Sequence, residues 1–183
     1  MFTMVVGGLV IVVVGFYFVS MYNGLIQLKN NIKKSRSNIM VLMKQRYSEL
    51  PKLVQVVKRY VKYEKKLLKD ITEARSIYNK ANTLKQKAAA NNMLSGALKT
   101  LFAVSENYPK LQASAAFLKL QDRISTLESH IADRREFYND SVNLYNIKIQ
   151  SIPDSVFANM LKYREEELFK ASKKEMADVK LNL

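Results

Sequence analysis

Residues 39–78 read IMVLMKQRYSELPKLVQVVKRYVKYEKKLLKDITEARSIY, and this stretch decides the fold. Apolar side chains recur at Ile39, Met43, Leu50, Leu53, Val57, Tyr60, Leu67, Ile71, Ala74 and Tyr78. The steps alternate between three and four, the 3.5-residue period of helices packed along a seam. Arg46 and Glu64 fill the two remaining seam positions. Residues 25–82 hold no Gly and a single Pro, so they predict one long helix, kinked or briefly broken at Pro51.

Working toward the C-terminus, an Ala-rich stretch leads through Asn91 and Asn92 to Leu94, Ala97, Leu98, Leu101 and Phe102 at helical spacing. Tyr108-Pro109 ends that helix, because proline disfavours helical backbone at the residue before it. A third helix is predicted from about Leu111 to Ser151. Its seam is Phe117, Leu120, Ile124, Leu127, Ile131, Tyr138, Tyr145 and Ile152, with Arg134 and Ser141 on the same line. Pro153 interrupts, and Asp154 or Ser155 caps a short fourth helix carrying Val156, Phe157, Met160 and Leu161. From Glu165 the chain is highly charged, and residues 170–183 are expected to fray.

Working toward the N-terminus, residues 1–28 carry no charged side chain. From Phe2 to Val19 only Thr3 is polar, and Ser20, Met21 and Tyr22 extend the run. About 20 apolar residues at helical rise match a hydrocarbon core about 30 Å thick. Tyr17 and Tyr22 fall toward the end where an interfacial aromatic belt belongs. A cleaved signal peptide is the rival reading. It needs a basic start and a small-residue cleavage site, but no Lys or Arg precedes the run, and Tyr-Asn-Gly-Leu after it is a poor cleavage site. Gly8 and Gly15 share a face, but without a GxxxG pattern they read as ordinary transmembrane glycines.

The chain has 183 residues and a formal charge of +14. The excess is local: residues 29–69 hold 13 basic side chains against Glu49 and Glu64, a net of +11, whereas residues 121–183 hold 10 basic and 11 acidic. Lys29, Lys33, Lys34 and Arg36 follow the apolar run and are placed to meet anionic headgroups, at about 1 kcal/mol per residue near the surface. The positive-inside rule then puts residues 29–183 in the cytoplasm. Lys58, Arg59, Lys62, Lys65, Lys66 and Lys69 lie further along. On an upright helix they are several Debye lengths from their own membrane. They read as a solvated face, a site for an acidic protein, or a contact for another membrane. No nucleic-acid motif accompanies the charge, so nucleic acid is not an expected partner.

Arg46, Glu64 and Arg134 are the informative charges, because a charge on an apolar seam is costly unless paired. An interior ion-pair network that fixes helix register is the first reading. A buried ligand pocket is the second. Nothing supplies reaction chemistry. There is no Cys and one histidine, His130, and no phosphate loop or nucleophile elbow appears. Glu165, Glu166 and Glu167 lack the spacing of a calcium loop. No catalytic, metal or cofactor-binding residue is therefore assigned, and no cofactor is expected.

A series of short motifs resembles the LemA family of small prokaryotic membrane proteins. They are Tyr22-Asn23 with Leu25, Arg46 in Lys-Gln-Arg, Leu50-Pro51 with Leu53-Val54, Tyr60 with Glu64, and Ala74-Arg75. Glu106-Asn107-Tyr108-Pro109, Leu111 and Ala113, Phe117 with Leu120-Gln121, and Glu128 follow. Arg134 or Arg135, Tyr138-Asn139, Tyr145-Asn146 and Ile152-Pro153 complete the order. The resemblance implies a single-pass anchor and a long antiparallel helical domain. It brings no catalytic residues, and its MamQ-like members imply at most a role in membrane organisation.

The expected architecture is all-α: a transmembrane helix followed by an elongated antiparallel bundle of long helices. The expected divisions are an anchor at 1–24, a LemA-like helical domain at 25–164 and a charged tail at 165–183. The expected function is a non-enzymatic membrane scaffold that self-associates as a homo-oligomer or organises membrane and partner proteins. The alternative is an adaptor in envelope signalling or quality control that binds an acidic protein through the basic helix.

Overall fold

In the computed structural model, residues 1–61 and 65–169 are described, and all regular structure among them is helical. The helices are α1 (Phe2–Lys58), α2 (Lys65–Lys80), α3 (Leu84–Ser105), α4 (Pro109–Gln112), α5 (Ala115–Gln150) and α6 (Asp154–Met160). The chain is all-α, as the periodicity requires. The calls on Lys62, Glu64 and 170–183 lie outside the described residues.

α1 runs through Pro51 without a break, so of the two expectations there the brief break does not occur. The missing N–H costs a hydrogen bond, but Leu50, Leu53 and Val57 on either side are fully buried and hold the helix in register. The helix ends instead at Lys58, where Arg59 and Tyr60 donate to the carbonyls three residues back. Tyr60 is therefore exposed, and Val61 is the buried residue at the end of the seam. The Ala-rich stretch and the helix after Asn92 are one element, α3. A reciprocal cap starts it: Gln86 N donates to Thr83 Oγ1 at 3.2 Å, and Gln86 Oε1 accepts from Thr83 N at 3.1 Å.

The chain forms two compact units. Among the described residues, one comprises Met1–Ser37 and Glu136–Leu168, the other Asn38–Arg135 with Phe169. In the second unit the end of α1 lies antiparallel to α2: Tyr47 stacks on Tyr78, and Leu50 and Lys58 face Ile71 and Thr72. α2 packs on α3 across the short connection Ala81–Thr83. α3 meets α5 through Ser95 with Glu128 and Phe102 with Phe117, again antiparallel. Four helices thus enclose one core of Ile39, Met43, Ile71, Leu94, Leu101 and Ile124.

In the first unit, the start of α1 runs antiparallel to the end of α5 and packs against α6. Phe18 stacks on Phe157, the Lys148 side chain passes over Gly24, and Lys29 sits over Tyr163. Its core includes Met21, Leu25, Ile32, Tyr138, Val142 and Tyr145. The seam here takes Ile149 and leaves Ile152, expected inside, 86% exposed, because the helix has ended at Gln150.

Candidate interaction surfaces and a buried charge centre

The second half of the basic run forms a groove. Lys58, Lys65 and Lys69 line a cleft of about 600 Å³ with Val61, Leu68 and Thr72. A neighbouring cleft of about 350 Å³ adds Leu50, Val54, Ile71 and Arg75 and shares Lys58 and Thr72. The antiparallel pairing of α1 and α2 creates this arrangement. Apolar residues form the floor, ammonium and guanidinium groups stand along it, and among the described residues no acidic side chain lines either cleft. Lys66 is exposed on α2, and Arg59 is exposed in the turn that follows α1. Such a surface attracts a segment that is apolar on one side and anionic on the other.

Arg46 lies at the centre of the second unit and is completely buried. Its Nη1 pairs with Glu128 Oε2 and donates to Ser95 Oγ at 3.2 Å. Its Nη2 donates to Asn91 Oδ1 and, at 3.5 Å, to the Asn91 carbonyl. Ser95 Oγ donates to Glu128 Oε1 at 2.6 Å. The guanidinium carbon is 5.9 Å from the Tyr47 ring, which stacks at 3.9 Å on Tyr78, and Lys87 Nζ stands 4.5 Å over Tyr78. Residues from α1, α2, α3 and α5 thus meet around one charge. Burial pushes Arg46 down to about 10, opposed by the neighbouring Tyr47, so the side chain stays protonated at neutral pH. Burial likewise raises Tyr47 and Tyr78, with the Arg46 charge opposing it in both.

Arg46 is thus interior and paired, as its seam position implies. Arg134 is not. It is exposed, and the interior charge network does not extend to it. The helical period of 3.6 allows the seam to step from Ile131 by four as well as by three. It is the neighbouring Arg135 that turns inward, its guanidinium carbon 4.8 Å from the Phe169 ring.

The first unit holds the other basic group. Lys29, Lys33, Lys34 and Arg36 are all exposed around α1. Along α5 the segment 163–168 is tied down as a strap. Tyr145 and Tyr138 hydroxyls donate to the carbonyls of Arg164 and Glu167 at 3.1 and 2.9 Å. Asn146 both donates to the Glu166 carbonyl and accepts from its N–H, at 3.0 and 2.9 Å. Burial, reinforced by the Glu166 carboxylate, raises both tyrosines.

Residues 35–183 match the LemA family. The chain belongs to that family. It is 29% identical to Protein LemA of Metamycoplasma hominis over 169 residues, 90% of this chain and 75% of the relative. It is 32% identical to Magnetosome protein MamQ 2 of Paramagnetospirillum magneticum over 80 residues, which is 44% of this chain and 29% of that protein. Several residues that carry the LemA resemblance have clear physical tasks here. Arg46 and Glu128 are the buried pair, and Tyr138 and Tyr145-Asn146 hold the strap. Membership also accords with α1, whose N-terminal portion is long and apolar enough to cross a membrane and is almost wholly uncovered by the rest of the chain.

Sequence reasoning missed three participants. Glu128 sits one position off the apolar seam and is only half-buried. Asn91 lies in a stretch whose helical state was open. Asn146 looked like any polar residue beside a core tyrosine. Only the pairing of helices brings them into play.

Proposed function

We propose that this LemA-family chain is a non-enzymatic, single-pass membrane scaffold that gathers partner proteins through the groove of α1 and α2. Residues 1–24 serve as its anchor and residues 25–164 as its helical domain, followed by a charged tail at 165–183. The charge asymmetry around the anchor supports a cytoplasmic domain, and the exposed Lys29, Lys33, Lys34 and Arg36 are suited to anionic headgroups. The observation that carries the reading is the cationic, apolar-floored groove lined by Lys58, Lys65, Lys69 and Arg75. Its chemistry suits an acidic amphipathic segment, whether from a second copy of the chain or from another protein. The name of the magnetosome relatives is compatible with a role in membrane organisation. A second reading, an adaptor in envelope signalling or quality control, uses the same groove with one acidic partner and no self-assembly.

The full chain in vesicles should bind a helical peptide with glutamates on one face and leucines on the other. Reversing Lys58, Lys65 and Lys69 to Glu together should weaken binding at least about ten-fold, equivalent to about 1.4 kcal/mol, and flatten its salt dependence. The same variant should lose higher-order assembly if the occupant is a second copy, and keep it if the adaptor reading is right. Unchanged peptide binding and unchanged assembly would leave the groove a solvated face and remove the basis of both readings.

A further inference from the structure

α6 and the residues flanking it carry an apolar face that none of the described residues covers. Ile152, Val156, Met160 and Leu161 are 86%, 59%, 72% and 46% exposed. Val156 and Met160 are four apart on one face of α6, and Ile152 lies in the turn just before the helix. On the opposite side the element is fixed in place: Ala158 is buried, and the Phe157 ring stacks on Phe18 with centroids 4.1 Å apart. Tyr163, just beyond, donates its N–H to the Ala158 carbonyl at 2.9 Å and closes the turn.

The contacts with α1 give the depth of this face. Phe18 belongs to the apolar run, about 6 Å before Tyr22 at helical rise. Met21, one turn on, is also buried by the surrounding chain. Gly24, about 3 Å past Tyr22, lies under the Lys148 side chain, whose ammonium is 3.8 Å from Asp154. Lys29, the first charge after the run, stands over Tyr163 at 5.0 Å. Apolar residues of the α6 region therefore sit level with the end of the apolar run. The cations Lys148 and Lys29 sit level with the zone just outside it. This is the layering of an interfacial helix, whose apolar face enters about 5–10 Å below the headgroup boundary while its cations stay among the headgroups.

We infer that α6 with its flanks is a second membrane contact: a wedge of Ile152, Val156, Met160 and Leu161 inserted into the leaflet beside the anchor, with a lipid surface as its occupant. This inference rests on the anchor reading of residues 1–24. If α1 crosses the bilayer over that run, Phe157 is carried to the acyl boundary by its contact with Phe18, and the exposed side chains beside it meet hydrocarbon. Lipid fits the uncovered face better than a protein partner because the depth is set by the contact already made with α1. The wedge also gives the end of α5 a fixed height relative to the bilayer, which a lone transmembrane helix free to slide and tilt would not.

The absence of native cysteine makes the test clean. Single cysteines at Ile11→Cys, Met160→Cys and Thr100→Cys are labelled with an environment-sensitive dye. Each full-length protein is then reconstituted into vesicles of phosphatidylcholine and phosphatidylglycerol. Lipids carrying nitroxides shallow or deep on the acyl chain serve as quenchers. The label at position 11 should be quenched best by the deep probe and the label at 100 by neither. The label at 160 should be quenched by the shallow probe about two-fold or more over the deep one, as expected for an interfacial depth. Adding Val156→Asp should abolish quenching at 160 and leave that at 11 intact. If position 11 is quenched and 160 is not, the anchor stands and the wedge is wrong. If neither is quenched, the anchor reading itself fails and the wedge with it. A blue-shifted label at 160 that no lipid probe reaches would assign the face to a second copy of the chain and overturn the lipid contact.

Discussion

Truncating Glu128 should destabilise the second unit more than replacing Arg46, although Arg46 is the more deeply buried of the two. The Arg46 side chain is 0% exposed and that of Glu128 is 38% exposed. Glu128→Ala strands a fully buried guanidinium that, among the described residues, retains Asn91 and Ser95 as acceptors. Breaking a buried pair in this way costs about 3–5 kcal/mol. Arg46→Met removes the charge from the dry side, fills much of the same volume and leaves a carboxylate that can turn to solvent. Replacing a buried ion with a well-packed apolar chain is often near neutral, so about 0–2 kcal/mol is expected. Glu128→Gln keeps an acceptor near Nη1 and should fall between, at about 1–3 kcal/mol. The double variant Arg46→Met/Glu128→Ala should cost less than Glu128→Ala alone, because the stranded charge is gone. Urea unfolding of the full chain in detergent micelles, followed by far-ultraviolet circular dichroism, measures all four. Shifts in midpoint at constant slope report stability. A cost for Arg46→Met equal to or above that for Glu128→Ala would refute the reasoning, and so would strict additivity in the double variant.

The strap gives a second expectation: Tyr145→Phe and Tyr138→Phe should each cost about 1 kcal/mol by removing one hydrogen bond. Proteolysis between residues 163 and 168 should accelerate in both, while a phenylalanine at the exposed Tyr60 changes neither. Asn146→Ala removes two hydrogen bonds to Glu166 and should release the strap further than either tyrosine change. Alkali supplies a third. Tyr47, Tyr78, Tyr138 and Tyr145 are all raised above the ordinary tyrosine value, foremost by burial. The stability they contribute is complete below about pH 10 and is lost as pH rises past it, since the unfolded chain ionises first. Arg46, lowered to about 10, acts in the opposite sense over the same range, but it is one group against four. The urea midpoint should therefore hold steady to about pH 9 and fall by about pH 11. A midpoint that rises over that interval would mean that the tyrosines are hydrated.

The fold was legible because long helices write their packing into a simple period. The seam names Ile39, Met43, Leu50, Leu53, Val57, Ile71, Ala74 and Tyr78, and each is buried. On α5 the same reading finds Phe117, Ile124, Leu127, Ile131, Tyr138 and Tyr145. It fails at the ends, where tertiary geometry decides. Tyr60 and Ile152 have the right spacing but lie past the last packed turn, so they face outward. Pro51 looks like a break, yet the burial around it outweighs one lost hydrogen bond. Arg134 and Arg135 differ by one step in a pattern that accepts three or four, and hydrophobicity cannot choose between two arginines.

Partner choice was less legible than burial, for a geometric reason. A seam says which side chains go inside, not what they meet. Within one continuous helix, Arg46 and a residue 18 positions on would stand about 27 Å apart at helical rise. A carboxylate at position 64 could therefore pair with Arg46 only if the chain doubled back between them. An interior cation on a long helix must instead take its counter-charge from another helix at the same height. Antiparallel packing supplies one at Glu128, 82 positions away in sequence. The same condition explains why the acceptors come in a compact set: Asn91 and Ser95 are four apart on α3, one turn, and both face Arg46. Sliding α3 by one turn, about 5.4 Å, would part the guanidinium from Asn91 and Ser95, and sliding α5 by as much would part it from Glu128. A leucine seam tolerates such a slip with modest repacking, because one leucine replaces another. A buried cation does not, since either slip takes away its counter-charge or its neutral acceptors. The charge at Arg46 thus selects one register among the several that the apolar pattern alone would accept.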